Sequence, residues 1–92
     1  MKVVQTATFS RAVKKLHSNQ KKELDAAVNL VMADTSIGEK KAGDLAGVLV
    51  YKFKMLKQLM LLAYTYEEEV LTLTLLALGT HENFYRDIKR SS

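Results

Sequence analysis

Apolar residues in the first third of the chain recur with the spacing of α-helices. Two sets of four follow the pattern i, i+3, i+4, i+7, which places each set on one helix face: Phe9, Ala12, Val13 and Leu16, then Leu24, Ala27, Val28 and Val31. Between the sets, Ser18 and Asn19 are residue types that favour helix N-caps. We therefore predict a short helix around the first set and a second from about Asn19 to Asp34. The two helices would form an antiparallel hairpin with lysines on the outside.

From Val48 onward the apolar period changes to two, which is typical of β-strands. We predict a short N-terminal strand in residues 2–7, an irregular connection over 35–47, and strands at about 48–55, 58–66 and 70–78. The last two strands are apolar on both faces, so we expect the helices to cover one face of the sheet and the C-terminal segment part of the other. Gly79 ends the last strand, Thr80 caps a short terminal helix, and Phe84 and Ile88 form its core face. The predicted fold class is α+β: a short N-terminal strand, a two-helix hairpin, a three-stranded antiparallel meander and a short C-terminal helix.

The strand predicted at 48–55 carries two lysines in an otherwise apolar run. Side chains alternate along a strand, so Tyr51, Phe53 and Met55 share one face. Lys52 and Lys54 then stand roughly 6 to 7 Å apart on the other face. Such a pair is either a solvated surface that discourages edge aggregation or a binding site for a negatively charged group.

The composition is that of one globular domain spanning residues 1–92, with no cysteine. Disulfide scaffolds, thiol nucleophiles and Cys-type zinc sites are therefore excluded. The N-terminus lacks the apolar core of a signal peptide, and no stretch approaches the roughly 20 apolar residues of a membrane helix. We expect a cytoplasmic protein without membrane association. The net charge of +4 favours an acidic protein or a nucleic acid as partner.

Four polar side chains outside the apolar pattern could carry chemistry: Lys52, Lys54, His81 and Tyr85. His81 and Tyr85 are spaced i, i+4 on the predicted terminal helix, so an imidazole and a phenol project side by side. Cleavage of RNA by its own 2′-hydroxyl needs a base, a cation near the phosphate and an acid, which these side chain types supply without a metal ion. In the alternative interpretation the lysines are solvated, His81 is a capping or surface residue and Tyr85 rests its ring on the sheet.

Three stretches, GDLAGVLVYKFK, LLAYTY and LALGTHENFYRDIKR, together with the order of elements, resemble the RelE/ParE superfamily of bacterial type II toxin-antitoxin systems, in its RelE/YafQ-like branch. The resemblance spans essentially the whole chain. It implies a small endoribonuclease that cuts messenger RNA on the ribosome and so inhibits translation. It also implies that no metal or small-molecule cofactor is needed, and that an acidic antitoxin protein holds the toxin inactive.

The resemblance also implies roles for individual residues. Lys52 and Lys54 match the strand lysines of the family, which suggests a base and a charge stabiliser. His81 matches a position held by arginine in RelE and histidine in YafQ, which suggests an acid or phosphate ligand. Tyr85 falls near the C-terminal aromatic residue of the family and would stack on a base or orient the nucleotide. A further set of basic residues is expected to contact RNA: Lys14, Lys15, Lys57, Arg86, Lys89 and Arg90, with Lys21 and Lys22 adding attraction to ribosomal RNA.

One position departs from the family pattern. Where RelE has a phosphate-binding arginine on its middle strand, this chain has Leu61. Lys57 or Arg86 could supply the missing cation. The departure leaves room for a ParE-like, non-enzymatic inhibitor of DNA gyrase. A separate alternative is a nuclease that acts on DNA or free RNA without the ribosome.

Overall fold

The computed structural model describes residues 1–80, 84, 85 and 88 of the 92-residue chain. Within them lie these strands and α-helices: β1 (Lys2–Gln5), α1 (Ala7–Lys14), α2 (Ser18–Ala33), β2 (Glu39–Lys40), β3 (Leu49–Met55), β4 (Gln58–Glu67) and β5 (Thr72–Gly79). Short 3₁₀ turns, Gly43–Leu45 and Glu68–Val70, precede β3 and β5. Of the predicted terminal helix, the described residues are Phe84, Tyr85 and Ile88, which have helical backbone. No helix in this part of the chain is long and apolar enough to cross a membrane.

The strands form one mixed sheet in the order β1-β5-β4-β3-β2. β3, β4 and β5 are the predicted antiparallel meander, and β1 joins its far edge parallel to β5. β2 was not predicted, because a strand of two residues shows no periodicity. Its residues Glu39 and Lys40 pair with Val50 and Leu49 at the other edge of the sheet. The segment predicted as wholly irregular therefore contributes a strand.

Capping residues set the starts of both helices. Thr6 ends β1 at Gln5, because its hydroxyl accepts a hydrogen bond from Phe9 N at 3.1 Å and donates one to Leu76 O at 2.6 Å. For α2, the N-cap is His17, whose N–H donates to Gln20 Oε1 at 2.8 Å. The expectation of a cap at Ser18 or Asn19 was thus wrong by one or two residues, because His17 is the N-cap of the helix.

Two hydrophobic cores lie on the two faces of the sheet. The helix-side core contains Phe9 from α1, Leu24 and Val31 from α2, and the inward residues of the strands, among them Leu62. The second core lies on the opposite face and joins Val50, Leu61, Ala63 and Ala77 to Phe84 and Ile88. The predictions of helices on one face and a C-terminal segment on the other are confirmed, as is burial of Phe84 and Ile88.

Tyr64 fastens the connection between α2 and β2 to the sheet. Its ring is fully buried on β4, its hydroxyl accepts a hydrogen bond from Gly38 N at 2.9 Å, and the same hydroxyl donates to Thr35 O at 2.7 Å. Burial raises the pKa of the Tyr64 phenol, although the Gly38 N–H opposes the shift. This buried phenol fixes the start of β2 relative to the centre of the sheet.

Candidate functional site

Lys52 and Lys54 lie on the sheet face that the helices leave uncovered. On β3, Tyr51 and Phe53 pack against the helix-side core and stack on each other with centroids 6.1 Å apart. Val50, on the same face as the lysines, belongs to the second core. Both lysines are exposed. The predicted alternation is therefore confirmed, and the two ammonium groups share one surface, which we call the lysine face.

The strand register places the end of β5 level with Lys52. Lys52 lies opposite Leu61 on β4, and Leu61 lies opposite Gly79 on β5. Neighbouring strands are about 4.8 Å apart, so the Cα atoms of Lys52 and Gly79 are separated by about 10 Å. The segment that starts at Thr80 thus begins in the same row as the lysine. His81, Arg86, Lys89 and Arg90 lie outside the described residues, and their place at the site stays a prediction.

Leu61 occupies the centre of that row and is fully buried in the core that contains Phe84 and Ile88. The position where RelE has an arginine is therefore closed to solvent in this chain. A charge there would be buried without a partner, which is costly. Any cation that contacts a phosphate on this face must come from the exposed positions around Leu61.

A β-bulge shapes the end of β5 next to this row. The register between β4 and β5 shifts after Ala63, so Leu76 has no direct partner in the ladder. The carbonyl of Leu76 instead accepts the Thr6 hydroxyl. Leu76 and Ala77 both contribute to the second core as a result. The alternating pattern of β5 did not predict this bulge, which lies only three residues before Gly79.

Tyr85 packs half-buried on the lysine face. Its ring meets the Phe84 ring edge-on, with centroids 5.3 Å apart. Lys41 Nζ lies 6.0 Å from the centroid of the Tyr85 ring and 3.4 Å from Glu39 Oε1. Partial burial works to lower the pKa of Lys41, but Tyr85 and Glu39 favour the charged form and the net pKa is raised.

Sequence reasoning missed Lys41 because it lies in the connection predicted as irregular. Lys41 N donates to Val48 O at 3.0 Å, which places it opposite Val48 and four residues before the position of Lys52 along β3. At about 3.3 Å per residue, Lys41 and Lys52 are about 13 Å apart along the strands. Tyr85 therefore lies toward the Val48 end of the face rather than directly above Lys52 and Lys54.

The turn between β3 and β4 forms the other end of the lysine face. Leu56 and Lys57 both have positive φ, 49° and 74°, which is unusual for residues with side chains. Glu23 of α2 holds the turn, since its Oε2 accepts a hydrogen bond from Leu56 N at 2.6 Å. Lys57 is exposed at the tip, close to Lys54 in the hairpin.

The helix lysines form a separate surface. Lys14, Lys15, Lys21 and Lys22 are all exposed, as predicted. They belong to α1, its C-cap and α2, which pack against the opposite face of the sheet from Lys52 and Lys54. The helix lysines and the lysine face therefore lie on opposite sides of the sheet.

A groove runs between α2 and β3 at the edge of the sheet. It has a volume of about 200 Å³ and is lined by Glu23, Ala26, Ala27, Leu30, Tyr51, Phe53 and Lys54. β2 pairs only with Leu49 and Val50, so within the described part of the chain no strand covers the outer edge of β3 from Tyr51 onward. Leu30 is 54% exposed at the rim. The groove and the open edge are adjacent and together form an uncovered surface.

Solved structures with a similar fold include bacterial toxins and toxin-antitoxin complexes. A chain of the intact E. coli RelBE toxin-antitoxin complex superimposes with a TM-score of 0.70 at 18% identity, over 88% of this chain and 96% of that one. Free E. coli RelE carrying two substitutions gives 0.73 at 14%, over 98% and 90%. A chain of the RelBE2 toxin-antitoxin complex of Mycobacterium tuberculosis gives 0.64 at 22%, over 87% and 90%. At such identities the likeness shows the shared fold alone.

Sequence comparison supplies the family. None of the curated protein sequences matches this chain significantly. A profile of the ParE-like toxins, in contrast, matches residues 3–89, which is nearly the entire chain. The match agrees with the RelE-like fold and with the superfamily that the residues around Lys52, Tyr64 and Gly79 predict. The chain belongs to the ParE-like toxins of type II bacterial toxin-antitoxin systems.

Proposed function

We propose that this toxin is an endoribonuclease that cuts messenger RNA on the ribosome. The observation that carries the proposal is the row from Lys52 through Leu61 to Gly79. Lys52 is level with Gly79, two residues before His81, and Lys54 lies two positions further along the same exposed face of β3. An exposed cationic pair beside an apolar floor suits a phosphate group, because the charges attract it and the floor limits access of water.

The residues divide the chemistry among them. Lys52, as the neutral amine, takes the proton from the 2′-hydroxyl as that oxygen attacks the phosphorus, and Lys54, as the ammonium ion, stabilises the negative charge that develops on the phosphate oxygens. His81 donates a proton to the leaving 5′-oxygen or binds the phosphate. Tyr85, which lies toward Lys41, stacks on a neighbouring base instead of contacting the scissile phosphate. Lys57, Arg86, Lys89 and Arg90 attract the RNA backbone, and Lys14 and Lys15 attract ribosomal RNA.

Mapping of message ends in ribosome-bound RNA tests this proposal. The wild-type toxin is induced beside the double variant Lys52→Met with Lys54→Met. The matched control is Lys2→Met with Lys40→Met, which removes one exposed lysine from the edge strand β1, three strands from Lys52, and one from the helix-side face of β2. New message ends should be present in the wild type and in the control, and reduced at least about 100-fold in the Lys52 and Lys54 variant. Intact messages in wild-type cells whose growth has stopped would refute the proposal.

The second candidate is a ParE-like toxin that inhibits DNA gyrase by binding. Burial of Leu61 favours it, because this chain has no cation where RelE has its phosphate-binding arginine. Induction would then produce a DNA damage response while messages stay intact. Cleavage of naked RNA by the purified toxin would support the third alternative, a nuclease that does not need the ribosome.

We also propose that a cognate antitoxin covers the groove and the open edge of β3. The neighbouring structures include toxin-antitoxin complexes, and RelE bound to a peptide of the antitoxin RelB. The lining of the groove is mainly apolar, with Lys54 and Glu23 as its charged residues, and the basic Lys54 beside apolar side chains suits an amphipathic, acidic helix or strand. Leu30→Glu should weaken binding of the acidic protein encoded beside the toxin by at least tenfold, whereas Asn29→Glu, one position around α2, should not. Equal affinities for the two variants would place the antitoxin elsewhere.

A further inference from the structure

Lys41 directly follows β2, and hydrogen bonds fix the backbone on both sides of this strand. The hydroxyl of Tyr64 binds Thr35 O and Gly38 N, immediately before β2. After β2, the bond from Lys41 N to Val48 O fixes the backbone of Lys41. The backbone of Lys41 is therefore fixed at the edge of the sheet, unlike the backbone of a lysine in a surface loop. Its side chain is only 19% exposed.

The ammonium group of Lys41 has two neighbours that define its place. Glu39 lies on the same face of β2, two residues earlier, and its carboxylate is 3.4 Å from Lys41 Nζ. The centroid of the Tyr85 ring lies 6.0 Å from the same atom, at the outer limit of a cation–π interaction, and a hydrogen bond with the Tyr85 side chain also favours the charged form. The Lys41 ammonium group therefore contacts both a carboxylate and the Tyr85 side chain.

The geometry points to Lys41 as the positioning residue for Tyr85, with Glu39 as its support. Lys41 holds the ring where it packs against the Phe84 edge and the second core, and so fixes the orientation of the aromatic group on the lysine face. Its consequence for catalysis rests on the proposed ribonuclease function, in which Tyr85 stacks on a base. Lys41 itself lies about 13 Å along the strands from Lys52 and does not act on the same phosphate. Partial burial works to lower the pKa of Lys41, but Tyr85 and Glu39 outweigh it and raise the pKa, so these contacts favour the ammonium form.

Lys40 provides a matched control for this inference. It is the neighbour of Lys41, it is exposed, and its side chain points to the opposite face because residues alternate along β2. Lys41→Met and Lys40→Met therefore remove the same charge from adjacent positions. Methionine keeps an unbranched side chain, so loss of packing is small. Lys41→Arg retains a cation that interacts well with aromatic rings and should restore the contact.

The first test is an aromatic NMR spectrum, which needs no activity. The chain has four tyrosines and no tryptophan, so the Tyr85 ring signals can be assigned from a Tyr85→Phe spectrum. We expect these signals to move in Lys41→Met, to stay in place in Lys40→Met, and to return toward the wild-type position in Lys41→Arg. Unmoved Tyr85 signals in Lys41→Met would overturn the inference, whether or not the protein cleaves RNA.

The second test is a double-mutant cycle in the ribosome-dependent cleavage assay. Lys41→Met alone should reduce cleavage roughly fivefold, by loss of one cation–π contact, and Lys40→Met should not. In a Tyr85→Leu background, Lys41→Met should have no further effect, because Lys41 acts only through the ring. Effects that multiply would show that Lys41 contacts RNA directly and would overturn the inference. A wild type that leaves messages intact would refute the ribonuclease proposal, while the NMR result still decides the role of Lys41.

Discussion

The same strands form both faces of the sheet, but one face is an apolar core and the other combines a smaller core with exposed charges. The helix-side face is apolar from β5 to β3, and the buried hydroxyl group of Tyr64 there both accepts and donates a hydrogen bond. The lysine face has a smaller core around Leu61, bordered by the exposed charges of Lys52 and Lys54. Substitutions on the first face should therefore cost stability, and substitutions at the border of the second should cost function. On the lysine face itself, core and border are only two positions apart on one strand: Leu61 is buried, whereas Leu59 is exposed.

The sharpest test of that boundary introduces the missing arginine at two neighbouring positions of β4. Leu61→Arg places a charge in a fully buried site without a partner, and should lower the free energy of unfolding by about 3 to 5 kcal/mol. Leu59→Arg lies on the same face, opposite Lys54, where the native leucine is 47% exposed. It should change stability by less than about 0.5 kcal/mol. Urea unfolding of the two variants measures the contrast.

The same pair of variants also separates the two proposed functions. A third cation at position 59, beside Lys54, should increase affinity for ribosome-bound RNA and steepen its dependence on salt. A toxin that acts on gyrase through another surface would gain nothing from Leu59→Arg. Equal destabilisation by the two substitutions would show that the lysine face is covered as completely at Leu59 as at Leu61.

Tyr64 tests the helix-side face, where one polar group is buried in an apolar core. Tyr64→Phe removes the hydroxyl that pairs with Gly38 N and Thr35 O, and leaves both backbone groups without this partner. The free energy of unfolding should fall by about 1 to 3 kcal/mol. Tyr66→Phe, on the same strand and only partly buried, is the control and should cost less. Gly38→Ala should also destabilise, because its Cβ would lie 2.6 Å from Tyr64 Oη.

The helices and strands could be predicted from the sequence, whereas the pairing of the strands that forms the lysine face could not. Helix spacing around Phe9 and Leu24 and the period-two runs after Val48 gave the main elements, because local burial repeats with the geometry of the backbone. The pairing of Lys52 with Leu61 and Gly79 depends on register, which is set by contacts far apart in the chain.

The features that the sequence did not predict are short or local exceptions. The strand β2 has two residues, the bulge at Leu76 is a single unpaired position, and the cap of α2 is a histidine, a type that is uncommon at N-caps. Lys41 was overlooked for the same reason: without β2 nothing in the sequence places it on the lysine face. The candidate site was therefore predictable at Lys52 and Lys54, and only the pairing of strands reveals its other end.

Substitutions in the strained turn at the end of the lysine face should have a smaller effect on stability. Leu56 and Lys57 adopt positive φ at a cost of about 1 kcal/mol each, and this conformation suits Asn-Gly in a two-residue hairpin. Leu56→Asn with Lys57→Gly should raise the free energy of unfolding by about 1 kcal/mol, as measured by thermal or urea unfolding. If Lys57 contacts RNA, the stabilised variant should cleave less. A variant that is both more stable and fully active would remove Lys57 from the site.

The smallest expected effect is the pH dependence that Tyr64 adds to folding. Burial raises the pKa of its phenol above the ordinary value of about 10. As pH rises through that ordinary value, the unfolded chain loses the phenolic proton while the folded protein retains it, so the unfolded state becomes relatively favoured. The stability advantage of the wild type over Tyr64→Phe should therefore be constant at neutral pH and shrink above about pH 10. Urea unfolding of both proteins between about pH 8 and 11 isolates this difference, because titration of the lysines affects both equally. An advantage that stays constant to the top of that range would mean that Tyr64 ionises in the folded protein as readily as in the unfolded chain, and the helix-side face would then be less closed to solvent than its packing indicates.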